Sequence, residues 1–386
     1  SFCYGDTASI IRYETGFAES LLKGEVRDLY GITYKHMLYA REHDLRGVSL
    51  PTYDLPLNLV LGIWGIPLYL YKACSDAPDI GESFGQMLYL KSIFIPALLI
   101  TIILVYKICL ALGTDKRKAL WGAYLYMTSS IVTTSIAVVG QCDVIGMMLI
   151  LAGLLAFIRR ENRKFMLFFM LSMPFKMYAM FFFLPLMLLR KKRICMIIIK
   201  LILACSLNVI CTLSLLNNYA ALRSKASFNI GMLNKLISVK MPLLHSNASL
   251  FVVLFGCLCI WCFLSDEYED RSRNMQLINF IALLSAVTVF ISFSSYPYWF
   301  IYLAPYIAVS SVFNASQAKH IILFETLGMS ALAYSNYIIF YWCYDIHNTV
   351  NMFLYRIAGS PVFREGILTM HNIAKNKMMH GLLQIS

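Results

Sequence analysis

Several groups in this chain are of the types that act together on a phosphate-linked substrate. They are carboxylates at Asp6 and Asp143, an ammonium at Lys176, and the aromatic turn Tyr296-Pro297-Tyr298-Trp299. Asp143 closes a short polar stretch, Gly140-Gln141-Cys142-Asp143, set between two uncharged runs, Trp121 to Val139 and Val144 to Ile158. A carboxylate at bilayer depth costs roughly 2.5–3.5 kcal/mol and usually marks a site. It can orient or deprotonate an acceptor hydroxyl, while a cation stabilises charge on a leaving phosphate. Plainer readings exist for each: N-capping of the next helix by Asp143, a solvated loop carboxylate at Asp6, and a snorkelling lysine at position 176.

The elements that must position these groups are membrane helices. The 386 residues are 59% hydrophobic and 14% charged, with mean hydropathy +0.66. Soluble domains sit near about 45–50% apolar and about 25% charged, and several apolar runs here reach the roughly 20 residues that cross a bilayer. The expected fold is all-α, a polytopic helical bundle whose first partner is the lipid bilayer. The net charge of +12 gathers in short loops, not in an aromatic-interleaved patch, so no nucleic acid is expected. Cys257, Cys259 and Cys262 lie on an apolar segment and read as packing residues. The sequence contains no P-loop, dinucleotide glycine fingerprint or zinc-spaced histidine pair.

Topology follows from the basic loops. Asp115 to Lys118, Arg159 to Lys164 and Arg190 to Arg193 are strongly basic, and the positive-inside bias puts all of them on the cytoplasmic side. The turn carrying Asp143 then faces outside. Between the second and third basic loops only Phe165 to Leu189 remains, so that segment must turn back within the membrane, with Pro174 and Lys176 at its apex. Non-helical backbone at that depth is tolerated where it lines a wet cavity or is buried in protein.

Residues 1–54 are expected to form an external first loop, with a surface helix over Ser9–Leu22 where Ile10, Phe17, Leu21 and Leu22 recur at helical spacing. Residues 55–344 form the multi-span domain. Its first segment, Leu55 to Tyr71, holds Pro56, Gly62, Gly65 and Pro67 and is expected to be broken and only partly inserted. Met87 to Leu112 spans with a kink at Pro96, Asn217 to Asn247 is an external loop resting on anionic headgroups, and Ile321 to Tyr344 is a final span. A polar tail, 345–386, carries His347, His371 and His380.

Ser135-Ile-Ala-Val-Val-Gly-Gln-Cys-Asp143, followed by Pro174-Phe175-Lys176 and Leu184-Pro185-Leu186, resembles the multi-span glycosyltransferases of the GT-C fold. Within them it is similar to bacterial proteins related to the second mannosyltransferase of glycosylphosphatidylinositol synthesis. Those read tryptophan-glycine-glutamine-x-aspartate, and Val139 stands here in place of the tryptophan. The Tyr296 to Trp299 turn is similar to a later aromatic external loop of the family. Gly5-Asp6 matches the acidic position just after the family's first span, a span expected to precede Ser1.

The resemblance implies a polyprenyl-phosphate-linked sugar donor, inversion at the anomeric carbon, and a glycan, lipid or protein acceptor on the external face of a bacterial plasma membrane. It makes Asp6 the base or acceptor-orienting group, Asp143 a second acid, and Lys176 the donor-phosphate cation. Gln141, Tyr298 and Trp299 would line the substrate, with Trp299 on the cavity's rim. No cofactor is required, and a divalent metal is compatible with this chemistry. A transporter or flippase of lipid-linked sugars is the alternative class, although no inverted repeat of the transporter kind is legible.

Overall fold

Glycines 62 and 65 decide how the first third of the chain packs. The computed structural model describes residues 5–25, 29–42, 53–75, 84–216, 218–243, 246–267, 271–292, 297–314 and 316–339. The chain opens with α1 (Gly5–Leu22), α2 (Leu29–Glu42) and α3 (Leu55–Ser75). A Cβ on Gly62 would lie 2.7 Å from Phe17 Cβ, and one on Gly65 would lie 2.7 Å from the Glu14 carbonyl oxygen. On the other side of α1, a Cβ on Gly16 would meet Thr33 Oγ1 of α2 at 2.9 Å. Missing side chains thus let three helices close on one another, and Tyr13, Glu14, Phe17 and Ala18 are all buried.

Two expectations are corrected here. The helix over Ser9–Leu22 exists, but it is sandwiched between two others instead of lying on a surface. The segment from Leu55 is one continuous helix, not a broken one, because its glycines serve close approach and Pro56 falls in the first turn, where no backbone N–H is needed.

The next helices are α4 (Phe84–Ser92), α5 (Phe94–Ala111), α6 (Lys116–Thr128) and α7 (Ser130–Val132). The break expected at Pro96 falls at Ile93. Pro96 has no N–H for the Ser92 carbonyl, and its ring crowds that same carbonyl. Asp115 caps α6, accepting a 2.9 Å hydrogen bond from the Lys118 backbone N–H. That bond, with the Lys118 charge, holds the Asp115 carboxyl below its ordinary range.

After α7 the backbone widens into a seven-residue π-helix, Thr133–Val139, then resumes as α8 (Asp143–Ile158), α9 (Asn162–Ser172) and α10 (Ala179–Arg190). The last two form the expected hairpin, with the turn at 173–178. At 11 and 12 residues each reaches only about 17 Å, too short to cross about 30 Å of hydrocarbon. A Cβ on Gly153 of α8 would lie 2.6 Å from the Phe169 ring, and Phe165 stacks on Phe183 at 5.3 Å. The two basic flanks meet at one end, where Arg160 Nη2 donates to Glu267 Oε2 and Arg190 Nε donates to Glu267 Oε1, each at 3.0 Å.

The remaining elements are α11 (Ile194–Leu213), α12 (Tyr219–Ser238), the antiparallel pair β1 (Lys240–Leu243) and β2 (Ser246–Ser249), α13 (Leu250–Leu264), α14 (Arg271–Ile291), a 3-10 helix Pro297–Tyr302, α15 (Ala304–Phe313) and α16 (Ala318–Ile339). The stretch expected as an external loop from Asn217 is therefore mostly helix and hairpin. Lys225, expected near headgroups, is buried on α12. Residues 340–386, including the polar tail and its histidines, lie outside the described residues.

Among the described residues three stretches are long and apolar enough to cross a membrane: Leu55–Cys74, Leu88–Ala111 and Ile194–Leu213. Five shorter apolar helices accompany them, and the span expected from Ile321 is not among either group. The corresponding helix α16 carries Glu325, which holds the Ser129 and Ser130 hydroxyls beside the π-helix. Helix α11 leaves Ile194, Ile198, Ile202 and Ile210 half or more exposed. An aliphatic face of that extent matches lipid, not water.

Candidate functional site

Gly140 makes the site by stopping the π-helix. It takes the left-handed conformation, φ 73°, which costs glycine nothing. The Gly140 N–H then closes on the Ile136 carbonyl at 3.1 Å and the Gln141 N–H on the Ser135 carbonyl at 2.9 Å. Asp143 follows as the first residue of α8, where the aligned peptide dipoles favour negative charge. The π-helix is held from two sides. Lys91 Nζ donates to the Ala137 carbonyl at 3.0 Å, and Ser135 Oγ donates to the Tyr298 carbonyl at 2.7 Å. The second bond ties the aromatic 3-10 helix to the turn that carries Asp143.

Lys176 comes from the hairpin turn, where its backbone N–H reaches the Ser172 carbonyl at 3.1 Å. Its Nζ lies 2.9 Å from Asp143 Oδ1, with the two side chains only 12% and 1% exposed. The same ammonium sits 5.3 Å from the centre of the Tyr53 ring and 5.9 Å from that of Trp299, within reach of cation–π attraction. Asp143 Oδ2 and the buried Tyr302 hydroxyl face one another, and neither atom has a third group as partner. Gly146, one turn along α8, leaves the room: a Cβ there would lie 3.1 Å from the Tyr302 oxygen and 3.7 Å from Lys176 Cβ.

The structure thus brings together Asp143, Lys176 and Trp299. Gln141, Tyr298 and Trp299 are all buried, so Trp299 is a wall of the cluster and not part of a rim. Asp6 is not brought to this group. Phe17 faces Gly62 and Glu14 faces Gly65, so α1 runs antiparallel to α3. Continued along both helices, that register sets the backbone at Asp6 level with the last turn of α3, near Lys72. Tyr53, which touches Lys176, precedes the first turn, ~28 Å away along the axis. The Asp6 side chain lies outside the described residues.

A second buried ion pair adjoins the first through consecutive residues. Tyr53 faces Lys176, while Asp54 pairs with Lys225, which also donates to Thr212 Oγ1 at 2.7 Å. Asn58 Nδ2 steadies the segment by donating to the Tyr53 carbonyl at 2.8 Å and to the Tyr30 hydroxyl at 2.9 Å. The sequence reading missed these residues. The signal was Tyr53-Asp54 immediately before an apolar run, which reads equally as an ordinary helix start. Among the described residues no group of three or more His, Cys, Asp or Glu is arranged to hold a metal ion. No family model, curated protein or solved structure matches the chain.

Proposed function

We propose that the chain is a membrane glycosyltransferase that moves a sugar from a polyprenyl-phosphate-linked donor to an acceptor on the external face, with inversion. The observation that carries this reading is the buried Lys176–Asp143 pair, whose second oxygen, Oδ2, meets only the Tyr302 hydroxyl. A lysine and a carboxylate walled by aromatic rings supply a cation for a phosphate and a base for a hydroxyl. In the structure the two groups hold each other at 2.9 Å. A donor phosphate entering beside Lys176 takes over the ammonium and releases the carboxylate for the acceptor.

The acceptor oxygen then attacks the anomeric carbon from the face opposite the phosphate. The new glycosidic bond forms as the carbon–oxygen bond to phosphate breaks. The hydroxyl proton passes to Asp143, and the leaving phosphate carries away the bonding pair, its charge stabilised by Lys176. Tyr53 and Trp299 offer aromatic faces to the sugar, and the apolar exterior of the helices suits the polyprenyl tail. The register of α1 favours Asp143 over Asp6 as the base. Incubating the purified full-length protein with a series of polyprenyl-phosphate-sugars tests the reading: polyprenyl phosphate should accumulate only with an acceptor present. Movement of intact donor across a vesicle membrane without its cleavage would establish the flippase alternative instead.

A further inference from the structure

Helix α12 has two distinct faces, one packed on the protein and one exposed. Lys225 and Leu236 are buried. Tyr219, Arg223, Ile230 and Leu233 are exposed, Tyr219 at 75% and both aliphatic side chains above half. At 3.6 residues per turn these four share an arc of about 80°, so they form one outward stripe.

The stripe continues the apolar side of the helix before it. Leu213 at the end of α11 and Leu216 in the turn that follows are 55% and 60% exposed, and Tyr219 opens α12 three residues later. An apolar surface that runs on from a membrane-length helix has lipid as its natural cover. Charge selects the lipid. Residues 218–243 hold Arg223, Lys225, Lys235 and Lys240 and no carboxylate. Lys225 turns inward to Asp54, whereas Arg223 on the stripe and Lys240 just beyond the helix are exposed. Cations beside apolar anchors are the make-up of helices that lie in the plane of an anionic interface. The inward face reaches the site: Asp54 directly follows Tyr53, whose ring faces the Lys176 ammonium, and the Asp54 carbonyl accepts the Asn58 N–H in the first turn of α3.

We propose that α12 docks on an anionic phospholipid surface. Tyr219, Ile230 and Leu233 enter the acyl boundary, while Arg223 and Lys240 meet headgroup phosphates. Docked, the helix holds Lys225 against Asp54 and so keeps Tyr53 beside Lys176.

The test follows backbone amide exchange by mass spectrometry in the full-length protein, held in nanodiscs of phosphatidylcholine alone or with phosphatidylglycerol added. Phosphatidylglycerol should slow exchange across 219–238 roughly tenfold, since each cation near an anionic surface is worth about a fivefold preference. The first turn of α3 should slow with it. Arg223→Gln/Lys240→Gln should remove both effects. Both residues are exposed, so this variant should keep its unfolding temperature. Equal exchange in the two kinds of disc would overturn the proposal, as would a phosphatidylglycerol effect that survives the double substitution. Protection that appears only in discs holding two copies would assign the stripe to an interface between copies of this chain and overturn it too. A response of α12 without one in the first turn of α3 would overturn the link to Asp54.

Discussion

The Lys176 ammonium and Asp143 Oδ1 lie 2.9 Å apart, although one residue belongs to a hairpin turn and the other opens a helix. Their meeting follows from the antiparallel register of α9 on α8, with Phe169 beside Gly153 and Lys176 beside Gly146. Two turns separate each pair of positions, so the α8–α9 packing carries the ammonium to the start of α8. Each charge is buried, and each is tolerated because of the other.

The first prediction separates their structural and chemical roles. Asp143→Leu alone leaves a buried ammonium unpaired, which should cost about 3–5 kcal/mol, whereas apolar replacement of both members of a buried pair is often neutral. The Asp143→Leu/Lys176→Met double variant should therefore unfold near the temperature of the unaltered protein and yet transfer no sugar. Thermal unfolding in detergent and the transfer assay check both halves. Transfer by the double variant would end the proposed mechanism.

The two acidic residues singled out in the sequence should behave differently. Asp143→Asn should lower kcat by roughly 10²–10⁴-fold, the usual contribution of a general base, with donor affinity largely kept. Lys176→Met should mainly weaken donor binding. Asp6→Asn, at the far end of the α1–α3 register, should change turnover only a few fold. A loss for Asp6→Asn as large as that for Asp143→Asn would show that the first turn of α1 reaches the substrate after all.

Packing of α1 on α3 gives a prediction independent of function. Gly65→Ala places a methyl 2.7 Å from a backbone carbonyl oxygen, which cannot swing aside, and should destabilise by about 1–3 kcal/mol. Gly256→Ala, on α13 with nothing within 4 Å of the new methyl, should instead be neutral or gain about 0.5–1 kcal/mol. Unfolding midpoints of the two variants should move in opposite directions or differ clearly in size.

Glu267 is predicted to hold the basic end together. The Arg190 side chain is 14% exposed and Arg160 69%, so loss of the shared carboxylate should be felt mostly through Arg190. Glu267→Gln should lower the unfolding temperature while leaving transfer largely intact. Single cysteines at positions 160 and 192 should both be labelled from the same side of the membrane. Labelling from opposite sides would contradict the hairpin.

The sequence by itself determined the helical class, the apolar stretches and the hairpin. Hydropathy and loop charge are local, and Phe165 to Leu189 is too short to go out and come back as two full spans. It also marked Asp143 and Lys176, since charges stand out in apolar runs. Tertiary structure decided which charges meet. Gly62 and Gly65 read as breakers in one dimension, but they are contact points once α1 lies against them, and that contact fixes a register carrying the Asp6 end away from Tyr53. Lys225 read as a headgroup lysine until Asp54, 171 residues distant, closed on it. Pairing of buried charges depends on helix register and separation, and neither is encoded in the periodicity of any single segment.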